Sequence, residues 1–387
     1  MDDLKRSLDA LLDRDPERAD AEAVEAAQRL GLSEVVLYGA GTLGRSVARR
    51  LTQSPTRALA FADDTPGKAG TDVEGLAVMT LPDALDRAGE QAPVVVTILN
   101  NALSFRQADR RLRAAGARRV LPFFVLAQAY PDLFLPHGPM TVPSRLLRSR
   151  AAIAQAFELF ADERSRREFL GHLRFRLTLD FGHLPENSHG GYFPADLLPG
   201  PLPADVTFID GGAYDGDSVE AFLRHQGDAF ARIHAFEPDA ANAQRMATRL
   251  ATLPDHVQLR IDVHRAAVGA RSGRQAFAET GGMGSALRAE GGVEVDVVRL
   301  DDVVRTSGGA AYIKLDVEGG EADALLGARG LLSDRTLLAV SVYHQPSDLW
   351  ELPILIRDLC PRHRLFLRTE GEDGADVICY ALPPPAR

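Results

Sequence analysis

Short apolar runs recur along the chain and alternate with segments in which apolar residues are spaced three or four positions apart. The first such region covers residues 1–125 and opens with two polar helical segments that end near Gly31. Strands are predicted in it at 34–38, 58–62, 93–99 and 119–124. Strands that alternate with helices form parallel sheets with helices on their faces. Residues 1–125 are therefore predicted to form a small α/β domain.

The same alternation returns beyond residue 200. Residues 126–200 lack it and hold several prolines and a helical segment with Ile153, Phe157 and Phe160 on one face, which predicts a helical connector. Further strands are predicted at 206–210, 232–237, 257–263, 312–316, 336–343, 363–368 and 376–380, with helices at 218–224, 240–250, 321–332 and 352–360. Only a short turn separates the last two strands, which predicts an antiparallel hairpin. Residues 201–387 are thus predicted to form a seven-stranded, doubly wound sheet that ends in this hairpin.

Composition and charge exclude several classes of protein. The chain has 54 Asp and Glu against 44 Lys and Arg, a net charge of −10, so a nucleic-acid partner is not expected. It has no run of 18 apolar residues and no apolar secretory segment, so we expect no membrane span and a cytoplasmic location. The cysteines, Cys360 and Cys379, lack the spacing of a metal site, and no metal is predicted.

A glycine-rich turn follows the first predicted strand. Gly39, Gly41 and Gly44 stand between this strand and a helix, and Asp63 ends the next strand, 19 residues after Gly44. In dinucleotide-binding domains such glycines let the backbone approach a pyrophosphate, and the acid receives ribose hydroxyls. The pattern predicts a Rossmann-like domain with a second nucleotide site. A purely structural role, binding of a nucleotide or nucleotide-sugar, and nicotinamide-dependent oxidation all fit this pattern.

Two strand ends of the second region carry residues that suit a nucleotide ligand. Asp210 ends an apolar strand and is followed by a turn at Gly212, and Glu237 ends the next strand, 25 residues after Gly212. The first acid can receive an ammonium group, and the second carboxylate can accept both hydroxyls of a ribose. The same positions serve several nucleotides, and each can also be a plain turn between strand and helix.

Charged residues end the fourth predicted strand of this region. Lys314, Asp316 and Glu318 alternate and so share one side of the strand, and His344 ends the following strand. Ion pairing without a catalytic role is one interpretation, because a lysine inside an apolar strand is costly unless paired. We favour a site in which His344 takes a hydroxyl proton, oriented by Asp316 or Glu318. Lys314 would keep these carboxylates ionised. A metal that bridges the acids and His344 is compatible with the sequence, which does not require one. Glycines between 281 and 292 predict a loop that either covers a substrate or is a surface insertion.

Several segments of the second region together resemble the FkbM family of S-adenosylmethionine (SAM)-dependent methyltransferases. They are FIDGGAYDGDS, AFEPD, AAVG, VVRLDD and YIKLDVEGGEADALLGA, and the resemblance spans about residues 192–382. It implies a class I methyltransferase fold for 201–387, with SAM as the cofactor. It also implies O-methylation of a hydroxyl on a sugar, a glycan or a natural product. The amino-terminal domain resembles the Rossmann-like units that precede such enzymes.

The resemblance also implies which residues meet the cofactor and the acceptor. Cofactor contacts are expected at Asp210, Gly212, Ala213, Tyr214, Glu237, Pro238, Ala266, Ala267 and Asp316. Ala266 and Ala267 would lie near the adenine, and Asp316 would face the methionine end and the acceptor. The main alternative is a non-catalytic protein with a methyltransferase-like fold that binds SAM or a nucleotide-sugar. A nicotinamide oxidoreductase is a second alternative, although no acid for hydride transfer is evident.

Overall fold

The computed structural model describes residues 2–89, 91–99, 103–278, 286–287, 292–306 and 308–384. The chain divides into two compact units. Unit 1 comprises Met1–Arg150, Leu170–Pro185 and Gly371–Ala375, and unit 2 comprises Ala151–Phe169, Glu186–Glu370 and Asp376–Arg387. Segments of the predicted connector, 126–200, lie in both units. Among the described helices, none has the length and apolar character needed to cross a membrane.

Unit 1 contains a six-stranded sheet with the order β3-β4-β2-β1-β5-β6. Its elements are α1 Asp2–Leu12, α2 Pro16–Gln28, β1 Glu34–Tyr38, α3 Thr42–Leu51, β2 Arg57–Ala62, β3 Asp72–Val73, β4 Leu76–Met79, α4 Leu81–Ala88, β5 Val94–Val96, α5 Phe105–Ala114, β6 Val120–Pro122, α6 Phe123–Ala129, α7 Pro131–Phe134 and α8 Pro143–Arg148. The strands pair in parallel except β3, which is antiparallel to β4. The short strands β3 and β4 were not predicted, because four residues are too few to show a periodicity.

The core of unit 1 lies on both faces of this sheet. Val35 and Leu37 of β1 belong to one apolar cluster, whereas Val36 and Tyr38 belong to another. Successive side chains of a strand point to opposite faces, so both faces of β1 are buried. This explains why β1 is a continuous apolar run rather than an alternating one.

Two further helices follow in the chain, and then the strands and helices of the rest of unit 2. They are α9 Arg150–Leu159, α10 Glu163–Thr178, β7 Thr207–Gly211, α11 Asp217–Gln226, β8 Arg232–Phe236, α12 Ala240–Leu250, α13 Asp255–Gln258, β9 Ile261–His264, β10 Ala267–Val268, β11 Gly273–Ala278, β12 Ala286–Leu287, β13 Val293–Val298, α14 Leu300–Val303, β14 Ala311–Leu315, α15 Glu321–Gly327, β15 Thr336–Ser341, α16 Asp348–Leu359, β16 Arg364–Thr369 and β17 Val377–Leu382. The seven-stranded sheet has the order β16-β17-β15-β14-β7-β8-β9. Strand β17 runs antiparallel to β15 and β16, which confirms the predicted terminal hairpin.

The structure differs from the predicted elements at three places in unit 2. The predicted strand 257–263 begins later, at Ile261, because Pro254 starts the helical turn α13. The predicted helix 321–332 ends at Gly327 and is followed by a 3₁₀ turn. A small four-stranded sheet, β10-β13-β11-β12, was not predicted. Most of the glycine-rich stretch 281–292 lies outside the described residues, so its role stays a prediction.

Parallel pairing brings several strand ends of unit 2 to one edge of the sheet. Strand β7 pairs in parallel with β8 and with β14, and β14 pairs in parallel with β15. The carboxyl ends of these four strands therefore meet, and such an edge is where open α/β sheets hold ligands. We call this edge, with the residues that follow the four strands, the rim.

Candidate active site

Lys314 and Asp210 form a buried ion pair beneath the rim. The register of β7 and β14 places the two residues opposite each other, and Lys314 Nζ lies 2.9 Å from Asp210 Oδ1. The ammonium also donates to the Gly212 carbonyl at 2.5 Å, and Ser218 Oγ donates to Asp210 Oδ2. Burial alone would lower the pKa of Lys314, but the charges of Asp210 and Asp316 raise it. The ammonium that Asp210 receives in this structure is therefore that of Lys314, and a direct contact of Asp210 with a cofactor stays a prediction.

Gly212 makes the turn after β7 possible. Its φ is +79°, and a Cβ on this residue would lie 1.9 Å from the carbonyl oxygen of Asp316. Only glycine accommodates both that conformation and that approach. The backbone N–H groups of Gly212 and Ala213 donate to the Phe236 carbonyl at 3.0 and 2.9 Å. The turn thus touches the ends of β8 and β14 with backbone alone.

Glu237 lies at the end of β8 and is 5% exposed. Its Oε2 accepts from Tyr214 N at 2.9 Å, and its Oε1 accepts from Asp239 N at 2.9 Å and from Asn242 Nδ2 at 3.3 Å. Burial raises the pKa of Glu237, and these donors act in the opposite direction. An ionised carboxylate has about four acceptor positions, so one position on Oε2 remains for a ribose hydroxyl. Two donors of the protein already contact Oε1, and the contact of Glu237 with both ribose hydroxyls stays a prediction.

The other predicted cofactor contacts follow strands at the same edge. Pro238 comes directly after Glu237 and precedes helix α12. Ala266 and Ala267 are buried and follow β9, which pairs in parallel with β8. The order of the strands therefore brings these residues to the side of the rim nearest Glu237. Their contact with an adenine stays a prediction.

Three predicted catalytic residues come together at the ends of β14 and β15. His344 Nε2 lies 3.4 Å from Asp316 Oδ1 and 3.8 Å from Glu318 Oε2. Burial raises the pKa of Glu318 to about 7. Burial also acts to raise the pKa of Asp316, but the charges of His344 and Lys314 hold it below its usual value. The charge of Lys314 thus lowers the pKa of Asp316, its ion pair is with Asp210, and its predicted role of keeping both Asp316 and Glu318 ionised stays a prediction.

The structure adds two partners that the sequence analysis missed. Glu321 Oε1 lies 2.8 Å from His344 Nδ1, and Tyr192 Oη donates to Asp316 Oδ2 at 2.8 Å. The position of Glu321 at the start of a predicted helix, close to Asp316 in sequence, could have indicated the first partner. Tyr192 is 124 residues from Asp316 in sequence, so no local pattern indicated the second.

The charges around His344 bear on its predicted role. Burial alone would lower the pKa of His344, but Glu321, Asp316 and Glu318 raise it to about 10. A raised pKa favours the protonated ring near neutral pH and so acts against a role as the base; that His344 takes a hydroxyl proton stays a prediction. The pKa of His344 is raised by its three carboxylate neighbours, because they stabilise the imidazolium.

A cleft of about 670 Å³ in unit 1 is lined by residues that follow β1, β2 and β5. Gly39 has a φ of +108°, a Cβ on Gly41 would meet open space, and a Cβ on Gly44 would lie 1.9 Å from the Gly39 carbonyl oxygen. These are the three roles of glycine in a dinucleotide-binding turn. Asp63, however, accepts from Ala40 N at 2.8 Å, from Thr65 N at 2.9 Å and from Lys68 Nζ at 2.9 Å. The protein already satisfies Asp63, and the second nucleotide site stays a prediction.

We expect Asp63→Asn to lower the free energy of unfolding of unit 1 by about 2 kcal/mol at pH 7. Burial acts to raise the pKa of Asp63, but hydrogen bonds from Thr65, Lys68 and Ala40 lower it to about 2, and each pKa unit corresponds to about 1.4 kcal/mol. A lowered pKa adds stability above the unfolded value of 3.8, and this stability is lost as the pH falls through 2. Urea titrations followed by circular dichroism should show the difference shrinking from pH 6 to pH 3. Asp86→Asn, which removes an exposed carboxylate of α4, is the control; an equal loss at both pH values contradicts the prediction.

The fold and the rim define the class to which unit 2 belongs, a class I methyltransferase fold. Residues 210–372 match the family model described as the Methyltransferase FkbM domain. Residues 210–372 thus match an FkbM methyltransferase domain within the fold of unit 2.

Two solved structures are similar to this chain. One is described as methyltransferase FkbM from Methylobacillus flagellatus KT, with 24% identity and a TM-score of 0.73 over 98% of each chain; this likeness shows the fold. The other, a putative rRNA-methylase from Clostridium thermocellum, has 12% identity and a TM-score of 0.33 over 52% of this chain and 98% of the other. The latter likeness is too low to support any argument. No curated protein matches the sequence.

Proposed function

We propose that unit 2 is a SAM-dependent O-methyltransferase that acts on a hydroxyl of a sugar, a glycan or a natural product. One observation supports this proposal most. The Gly212 turn, the Glu237 carboxylate and the group of Asp316, Glu318, Glu321 and His344, called the Asp316 cluster below, meet at the rim of a methyltransferase fold. Bound SAM would supply a methyl group that its sulfonium already activates. The protein then has to hold SAM, orient the acceptor hydroxyl towards the methyl group and exclude water.

The residues present suit a nucleoside with a charged amino-acid end. Glu237 keeps one acceptor position for a ribose hydroxyl, beside the backbone of Gly212, Ala213 and Tyr214. Asp316 Oδ1 is buried and has no hydrogen-bond partner among the described residues. An unsatisfied buried carboxylate oxygen favours a cationic or hydroxyl-bearing ligand, because leaving it unpaired is costly.

The Asp316 cluster would serve the acceptor. An alcohol is a weak nucleophile until its proton leaves, and this proton needs an acceptor within hydrogen-bond reach. Asp316 and Glu318 provide carboxylate oxygens at the rim, whereas protonated His344 holds them in place through its ring nitrogen. Tyr192, which donates to Asp316 Oδ2, fixes the orientation of that carboxylate.

We expect Glu237→Ala to weaken SAM binding about 10- to 100-fold. The variant removes a charged hydrogen-bond acceptor, worth about 1.5–3 kcal/mol, and also the contact that holds Tyr214 N. Calorimetric titration with SAM measures the affinity, and circular dichroism confirms that the variant is folded. Glu351→Ala, which removes an exposed glutamate of α16, should bind SAM like the wild type. If the wild type binds NAD tightly and SAM not at all, the proposal fails.

Methyl-labelled SAM and a panel of glycans and metabolites test the acceptor class. The proposal expects label in a methyl ether, which survives base, and not in a methyl ester or a methylamine. Binding of SAM with no transfer to any acceptor would favour the alternative of a non-catalytic binding protein.

A further inference from the structure

The cluster of Asp316, Glu318, Glu321 and His344 carries an excess of negative charge. The side chains of Glu321 and His344 are 1% and 7% exposed. The cluster gathers three carboxyl groups around one imidazole. The ion pair of Lys314 is with Asp210 and not with a member of the cluster. Burying unbalanced charge is costly, so the cluster suits a further positive charge.

Atoms of this cluster also lack partners. Within the part of the chain that the structure describes, Asp316 Oδ1, Glu321 Oε2 and His344 Nε2 are buried and take part in no hydrogen bond. His344 Nε2 points at Asp316 Oδ1, 3.4 Å away, and Glu318 Oε2 lies 3.8 Å from the same nitrogen. Asp316, Glu321 and His344 each offer a ligand atom within 4.8 Å of the others. Buried native polar atoms are rarely left without a partner.

Glu321 holds the imidazole in the orientation that a metal ligand needs. Its Oε1 lies 2.8 Å from His344 Nδ1 and also accepts from Val317 N at 2.8 Å. A metal-binding histidine almost always donates its second ring N–H to such a carboxylate or carbonyl. With Nδ1 donating to Glu321, the nitrogen that faces Asp316 and Glu318 is Nε2.

We propose that His344 Nε2 and Asp316, assisted by Glu318, bind a divalent cation of the Mg²⁺ or Mn²⁺ type, with Glu321 as the support of the histidine. Carboxylate oxygens suit these hard cations, and an imidazole beside them is compatible with Mn²⁺. The cation takes the place of the proton on His344 Nε2, so the ring binds it as a neutral ligand, and it gives Asp316 Oδ1 and His344 Nε2 a partner.

The cation also gives the acceptor site a chemical role, and this part rests on the proposed function. A hydroxyl bound to a divalent cation is more acidic than a hydroxyl in water. The acceptor O–H bond then breaks with its electron pair left on oxygen, and the proton passes to solvent or to a carboxylate. The acceptor hydroxyl would then lose its proton without His344 as the base, because His344 Nε2 would be a ligand of the cation. The acceptor class is accordingly an alcohol whose oxygen can enter the coordination shell.

Titration of the chelator-treated full-length protein with Mn²⁺, followed by electron paramagnetic resonance of unbound Mn²⁺, tests the site. We expect the wild type to bind one Mn²⁺ per chain. The affinity for Mn²⁺ should fall at least about tenfold in Asp316→Asn and in His344→Gln. The matched control is Asp228→Asn, which removes the carboxylate of the exposed His256–Asp228 pair and should bind Mn²⁺ like the wild type. Electron spin-echo spectra of the wild type should show coupling to an imidazole nitrogen, so the test does not depend on a variant folding. Absence of this coupling, or affinity unchanged in both site variants, overturns the proposal.

The same preparation separates this inference from the proposed function. If the chelated protein binds SAM and transfers its methyl group at full rate, and Mn²⁺ does not bind, the cation site is wrong and the methyltransferase stands. If Mn²⁺ binds with imidazole coupling but SAM does not bind, the cation site stands and the methyltransferase proposal fails.

Discussion

Lys314→Met is expected to lower the free energy of unfolding of unit 2 by about 3–5 kcal/mol, because it leaves the Asp210 carboxylate buried without its counter-ion. Both side chains are nearly inaccessible, at 3% and 0% exposure, with 2.9 Å between Nζ and Oδ1. Methionine keeps most of the volume of the lysine stem, so the loss reports the charge rather than a cavity. Trp350, the single tryptophan of the chain and buried in unit 2, reports unfolding in urea by its fluorescence.

Two further variants show whether the unpaired charge is the cause. The double variant Lys314→Met/Asp210→Asn removes both charges and should recover much of the lost stability. Arg335→Met breaks the exposed pair with Asp205, 2.7 Å apart, and should cost less than about 1 kcal/mol, as surface pairs do. A loss for Lys314→Met no larger than that for Arg335→Met would show that Lys314 is not needed to hold Asp210.

Gly212→Ala is expected to weaken SAM binding by about 100-fold or more. The added Cβ would lie 1.9 Å from the Asp316 carbonyl oxygen, in a residue whose φ is +79°. The turn must therefore move away from β14, and it carries Tyr214 N away from Glu237. Displacements of about 1 Å at a ligand site cost this much in enzymes. Calorimetry with SAM measures the loss, with circular dichroism as the check on folding.

Gly227→Ala is the matched control for the strain of a positive φ. Gly227 has a φ of +62°, but a Cβ there would meet no atom within 4 Å. Its ψ of −145° lies outside the left-handed helical region, so we expect a cost of about 1–3 kcal/mol in stability and an unchanged affinity for SAM. Equal loss of affinity in both variants would mean that the contact with Asp316 is not what makes Gly212 necessary.

The strands that carry the rim were predictable because burial on both faces leaves a mark on the sequence. β7, β14 and β15 are buried throughout, and each is a nearly continuous apolar run. The two-strand hairpin at the end was predictable from the turn between β16 and β17. The start of β9 was not, because the apolar residue Val257 is buried from a helical turn as readily as from a strand.

The sequence by itself determined the order of the strands of the seven-stranded sheet along the chain, and with it the edge of the sheet at which Gly212, Glu237, Asp316 and His344 lie. Spacing along one strand suggested that Lys314 pairs with the carboxylates two and four residues later. Only the tertiary structure decided that its partner is Asp210, because the register between β7 and β14 sets which residues face each other. The tertiary structure likewise raises the pKa of His344, because it gathers three carboxylates around one ring.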